Sequence, residues 1–200
     1  MREAIVVGHH MVVEGFRDIE VEDINAFVDQ ARKVTEGCYV QFFNAWLVAD
    51  FDHLRFAVLN ALRAFGSGTN ISKDPALEIL LYASGQHQIS KAIELLGVKL
   101  GATEMAVVVV ADTREKAVEA LDKVSSLVGG KKCDGIIELT DEKATDIRKA
   151  FGITPLEVEA TLRKSEKEAL TCLLIERCAL LATRSRRVSP LQRRERHQAR

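Results

Sequence analysis

Met105-Ala106-Val107-Val108-Val109-Val110-Ala111 is the stretch on which the reading of the fold turns. Four consecutive valines in a seven-residue apolar run mark a β-strand, and the run is far shorter than the ~20 residues of a membrane span. A strand with no polar alternation is covered on both faces, so it belongs in the centre of a sheet. On its C-terminal side, Thr113 to Leu127 reads as an amphipathic helix closing at Gly129-Gly130. Gly135 to Leu139 reads as a further strand, and residues 141–150 as a helix ended by Gly152.

Upstream lies residues 74–97, DPALEILLYASGQHQISKAIELLG. Asp74-Pro75 is a helix start, an N-cap acid followed by proline at the first position. The apolar run from Ala76 to Ala83 breaks at the uncharged polar corner Ser84-Gly85-Gln86-His87-Gln88, and a second helix over about 88–96 ends at Gly97, a candidate C′ glycine. Earlier still, Ala4 to Val13 reads as one or two strands around Gly8-His9-His10. Ile24, Phe27, Val28, Ala31 and Val34 fall at helical spacing, with Gly37 as the stop. Cys38 to Val48 reads as a strand bent at Asn44-Ala45, and Asp50 or Asp52 caps a helix with Leu54, Val58, Ala61, Leu62 and Phe65 on one face.

Two capping boxes close the chain. Thr154-Pro155-Leu156-Glu157 supplies cap, N1 proline and N3 glutamate, with Ile153 and Val158 as the hydrophobic staple, and Ser165 starts a helix to about Ala182. The expected fold class is therefore α/β (mixed α+β), a single small mixed β-sheet flanked by several helices. Residues 1–183 read as a single domain. Residues 184–200 hold seven arginines and one acid, a +6 tail expected to be disordered beside a body of −7.

The N-terminus lacks a secretory core, and a cytoplasmic location is the plain expectation. Cys38, Cys133, Cys172 and Cys178 form no CxxC pair, so no metal and no disulfide framework is expected. His9 and His10, adjacent on a strand, point to opposite faces, and His53 near a helix start reads as solvated. Gly66-Ser67-Gly68 follows a helix and has no lysine directly after it, which fits a helix connection rather than a phosphate loop. With no nucleophile elbow or zinc helix, no enzyme and no cofactor is read; a small-molecule enzyme would need a clustered titratable set.

Recognition remains. From Ala169 to Leu181 only Thr171, Glu176 and Arg177 are polar. Leu170, Leu173, Leu174, Arg177 and Leu181 trace one side and Cys172, Ile175, Ala179 and Ala182 another, so the helix either lies central in the core or turns a second face to another protein. Under the family resemblance given below, Leu170, Leu173, Leu174, Ile175, Cys178 and Leu181 are the residues implied for a kinase partner. The corner Gln86-His87-Gln88, with Lys91 one turn on, offers amides, an imidazole and an ammonium group, which suit either a plain solvated helix junction or contact with unpaired nucleotides; the candidate set for nucleotides is Lys73, Ser84, Gly85, Gln86, His87, Gln88 and Lys91.

Leu80-Leu81-Tyr82-Ala83-Ser84-Gly85, Gln88-Ile89-Ser90-Lys91-Ala92-Ile93 and Gly97 resemble the central motif of the TPRKB family, the kinase-binding subunit of the KEOPS complex, archaeal type. Asn44-Ala45, His53 to Val58, Arg63-Ala64-Phe65 and Leu174 to Leu181 match as well, so the resemblance covers roughly residues 4–182. It implies a non-catalytic subunit of the machinery that installs threonylcarbamoyl-adenosine in tRNA. Such a subunit binds the small atypical kinase of the complex through the C-terminal helix, and other subunits indirectly. In archaeal members it also holds the single-stranded CCA end of tRNA. Family members often carry arginine where this chain has His87. The rival reading is a kinase-binding scaffold or regulator with no RNA contact. No membrane partner is expected.

Overall fold

The computed structural model describes residues 1–161 and 164–185. The expectation for the arginine tail therefore lies, from residue 186 on, outside the described residues. The elements run β1 Arg2–Val6, β2 His9–Arg17, α1 Ile24–Val34, β3 Tyr39–Phe43, α2 Phe51–Gly66, α3 Pro75–Ser84 and α4 Ile89–Leu96. They continue with β4 Glu104–Ala111, α5 Arg114–Val128, β5 Lys131–Lys132, α6 Asp141–Phe151, α7 Pro155–Thr161 and α8 Glu166–Ser185. The α/β class with one helix-flanked sheet holds.

The sheet order is β1-β2-β4-β3, with β5 pairing β2 beyond β1, and every pairing is antiparallel. The valine run takes the centre: Val109 stands opposite Val12 on one side and Val40 on the other. Alternate residues of β4 serve two cores. Ala106, Val108 and Val110 join Met11, Val13 and Phe43 under α2, α3 and α4. Met105, Val107 and Val109 join Val12, Val40 and Phe42 under α1 and α5. Both faces are covered, which is why no polar alternation is tolerated in the strand.

The single apolar stretch at Ala4–Val13 resolves into a hairpin. Val7 and Gly8 both take positive φ, 50° and 78°, the two-residue turn whose twist matches the flanking strands. The Cys38–Val48 run ends as a strand at Phe43, because the Asn44 side chain accepts from Trp46 N and turns the chain into a short 3-10 segment, Ala45–Leu47. The strand expected at Gly135–Leu139 is a 3-10 turn over Asp134–Ile137. The reason is close approach: Cys133 N donates to Gly15 O at 2.7 Å, and a Cβ on Gly15 would lie 2.5 Å from Ile136. This segment therefore packs on β2 instead of extending the sheet. Gly97 ends α4 without a left-handed cap; its backbone is extended, and a Cβ there would lie 2.7 Å from the Ile93 carbonyl.

Polar side chains lock the ends of the elements. Asp50, Asp74 and Thr113 cap α2, α3 and α5 as their positions suggest. Glu78, fully buried, accepts from Ile71 N and Ser72 N and so fixes the connection between α2 and α3 that contains Gly66-Ser67-Gly68. Lys143 is 3% exposed, and its ammonium donates to Ile136 O at 2.8 Å. Burial pushes that ammonium down to about 8, partly offset by Glu104 and Asp50.

Below its folded value Lys143 is charged in both folded and unfolded chains, and the fold bears the full desolvation cost. As pH rises from about 8 toward the unfolded value, the folded lysine sheds its proton and that cost disappears. Urea unfolding should therefore show the wild type gaining roughly 2–3 kcal/mol relative to Lys143→Met between about pH 7 and pH 10. Parallel pH curves for the two proteins would refute this account of Lys143.

Candidate functional site

The corner after α3 is built by helix termination. Gly85 takes φ +63°, Gln86 N donates to Leu81 O and Gly85 N to Tyr82 O, both at 3.1 Å. This paired closure consumes the last carbonyls of α3 and turns Gln86, His87 and Gln88 outward. From behind, His53 fixes the corner. It is fully buried rather than solvated, accepting from Ala49 N at Nδ1 (3.3 Å) while Nε2–H donates to Ala83 O at 2.8 Å. Burial holds the His53 pKa below its usual value, so the neutral ring that makes both bonds is the favoured form.

In front of the corner lies a cleft of about 620 Å³. Ser84, Gly85, Gln86, His87, Gln88 and Lys91, six of the seven residues singled out for nucleotide contact, line it together. Lys73 does not. It lies before the N-terminus of α3, and the ten residues of that helix separate it from the corner by ~15 Å. The opposite wall comes from α8, through Glu176, Arg177 and Leu180, with Phe151 at the end of α6 and Glu157 of α7. The polar corner and the apolar terminal helix, separate in the sequence, are two walls of one groove.

Of the residues proposed for a protein partner, Leu170, Leu173, Leu174, Cys178 and Leu181 turn inward and are buried. Leu170, Leu173 and Leu174 pack with Ala49, Ile147, Ile153 and Val158, while Cys178 and Leu181 reach the main core. Ile175 is half-buried. The outward strip of α8 consists of Glu176, Ala179, Leu180 and Thr183, and Leu180 is 39% exposed. The stripe proposed for a partner thus joins two cores in the chain by itself, and this strip is what α8 presents to solvent.

Arg177 and Phe151 carry no catalytic signature in the sequence, yet they organise the cleft. The Arg177 guanidinium donates to the Phe151 carbonyl and, at 3.1 Å, to Glu157. Glu157 also completes the expected capping box, accepting from Thr154 N at 2.7 Å while its own N–H bonds the Thr154 hydroxyl. Those bonds, with Thr154 first and Arg177 after it, hold the Glu157 carboxyl below the usual carboxylate range. The one signal for Arg177 was a lone cation inside an otherwise apolar helix. Its consequence is a latch tying α8 to α6 and α7.

The cleft pairs two cations, Lys91 and Arg177, with two carboxylates, Glu157 and Glu176. It is rich in amide and backbone groups and has no net basic charge from these four side chains. Among the described residues, no group of three or more His, Cys, Asp or Glu side chains is placed to hold a metal ion, and no helix is long and apolar enough to cross a membrane. The arrangement suits shape and hydrogen-bond recognition.

Replacing Arg177 with Gln should loosen the latch, lowering unfolding free energy by about 1 kcal/mol, since the pair is partly exposed. It should also raise amide exchange in α7 more than in the sheet. Uniform exchange changes across the chain would contradict the latch.

The sequence that builds this site is similar to known proteins. The family model for kinase binding protein CGI-121 matches residues 16–182. The regulatory protein Cgi121 of Methanocaldococcus jannaschii is 33% identical over 117 residues, covering 58% of this chain and 72% of that protein. With α2, the corner, the cleft and α8 as far as Ala182 inside the span of the family model, the chain belongs to the CGI-121 kinase-binding family.

Proposed function

We propose that this chain is a non-catalytic regulatory subunit that binds the small atypical kinase of the KEOPS complex and serves tRNA threonylcarbamoyl-adenosine modification. Membership of a family described as kinase-binding carries the reading. Residues 1–183 then act as one domain in the cytoplasm, meeting other subunits through the kinase. The outward strip of α8, from Glu176 to Thr183, is the kinase surface. An exposed leucine flanked by Ala179, on a helix held from behind by two cores, gives a rigid apolar ridge of the kind that anchors protein interfaces.

The test is co-purification with the kinase. Leu180→Glu and Ala179→Arg place charge on the ridge without entering the core, and each should weaken binding at least tenfold, roughly 1.4 kcal/mol or more, with thermal stability unchanged. Leu174→Glu is not a usable probe, because Leu174 is buried and its charge would unfold the chain. Undiminished kinase binding by the two ridge variants would rule out α8 as the interface.

The cleft is the seat for the single-stranded CCA end of tRNA. Gln86, Gln88 and the free edge of His87 suit unpaired bases, and Lys91 supplies a cation for phosphate. Trimming the CCA end should cost much of the affinity of tRNA for the chain, at least fivefold by filter binding. Equal affinity for trimmed and intact tRNA would remove RNA from the cleft. One observation favours the second reading, a kinase scaffold without RNA contact. The carboxylates Glu157 and Glu176 offset the cleft's two cations, and residues 1–183 carry a net charge of −7.

A further inference from the structure

The charged side chains of the cleft are not equivalent. Glu157 is committed to Arg177 at 3.1 Å and to Thr154 at 2.7 and 2.9 Å. The Glu176 carboxylate lines the same cleft from an exposed position on α8 and has no hydrogen-bond or ion-pair partner among the described residues. The neighbouring Arg177 does not neutralise it, because that guanidinium is held by the Phe151 carbonyl and Glu157. A free carboxylate repels phosphate, so any use it has toward RNA lies at a base.

Hydrogen-bond direction says which bases. Gln86 and Gln88 turn their amides to donate or accept, and the neutral His87 ring does both through its two nitrogens. Such two-way groups fit any base edge and select none. Glu176 only accepts, as Lys91 only donates. Adenine, cytosine and guanine each carry an exocyclic amino group that donates. Uracil carries none, and its one N–H lies between two carbonyl oxygens that repel a carboxylate. Among the cleft side chains that no internal bond already claims, Glu176 is thus the acceptor able to tell uracil from the other three bases.

Resting on the reading of the cleft as an RNA seat, we propose that Glu176 is its specificity-determining residue, accepting a hydrogen bond from the exocyclic amino group of an unpaired base and so excluding uracil. Its charge weakens the binding of every RNA end alike, and only an amino-bearing base returns a bond in exchange. The carboxylate that opposes general phosphate binding thereby makes the binding selective.

The full-length chain and its Glu176→Gln variant test this by filter binding at one fixed salt concentration. Three tRNA transcripts are compared, one ending in CCA, one ending in UUU and one lacking the last three nucleotides. The first two carry equal charge, so the ratio of their affinities is free of the phosphate contribution. The wild type should prefer the CCA end by about tenfold or more. In Glu176→Gln, whose amide can donate as well as accept, the preference should fall to within about twofold, while loss of the negative charge raises affinity for both ends. Equal affinity of the wild type for the CCA and UUU ends overturns the proposal, as does a preference that Glu176→Gln retains in full. The cleft reading fails separately, when the wild type binds the trimmed and CCA transcripts alike.

Discussion

Burial of β4 on both faces is the constraint from which the architecture follows. Seven apolar side chains in succession leave no face for water, so helices must close the sheet from two sides. α1 and α5 close one, and α2, α3 and α4 the other. The second group is large enough to need its own outer support, which α8 provides by packing on α2 and α3. The cleft lies where α8 meets the end of α3, so its position follows from how the core is closed.

This arrangement separates two tasks on one helix. The inward stripe of α8 joins the main core to the smaller cluster of Ala49, Ile147, Ile153 and Val158, and so holds the helix in a fixed place. Arg177 adds a polar latch to α6 and α7. Side chains that do this structural task are buried, and the ridge around Leu180 is the apolar part of α8 exposed to solvent. That ridge borders the cleft, since Leu180 belongs to both.

Much of the fold was legible because capping chemistry is local. Asp50, Asp74-Pro75, Thr113 and the Thr154/Glu157 box each mark a helix start that needs no tertiary information. The valine run announced a central strand for the same reason. Elements decided by contact were not legible. Gly135–Leu139 has strand composition, but the close approach that Gly15 permits draws it into a 3-10 turn. The short β5 pairing of Lys131 and Lys132 has no apolar pattern at all. His53 looked solvated because it stands near a helix start, whereas Ala83, thirty residues on, claims its ring. For the site, the corner from Ser84 to Lys91 was readable as a polar break after an apolar helix. Lys73 stands away from that corner, at the other end of α3, since nearness in sequence across a helix start is distance in space. Which side of α8 faces inward was undecidable where both sides are apolar. Arg177 was visible only as an exception.

On the proposed function, the ridge of α8, backed by two cores, is the surface that meets the kinase. Amide hydrogen exchange of the full chain with and without saturating kinase tests it most directly. Docking on the ridge should add protection concentrated in residues 172–183, with the β1–β2 hairpin and α5 unchanged. Protection confined to the hairpin or α5, with α8 exchanging as in the free chain, would contradict it.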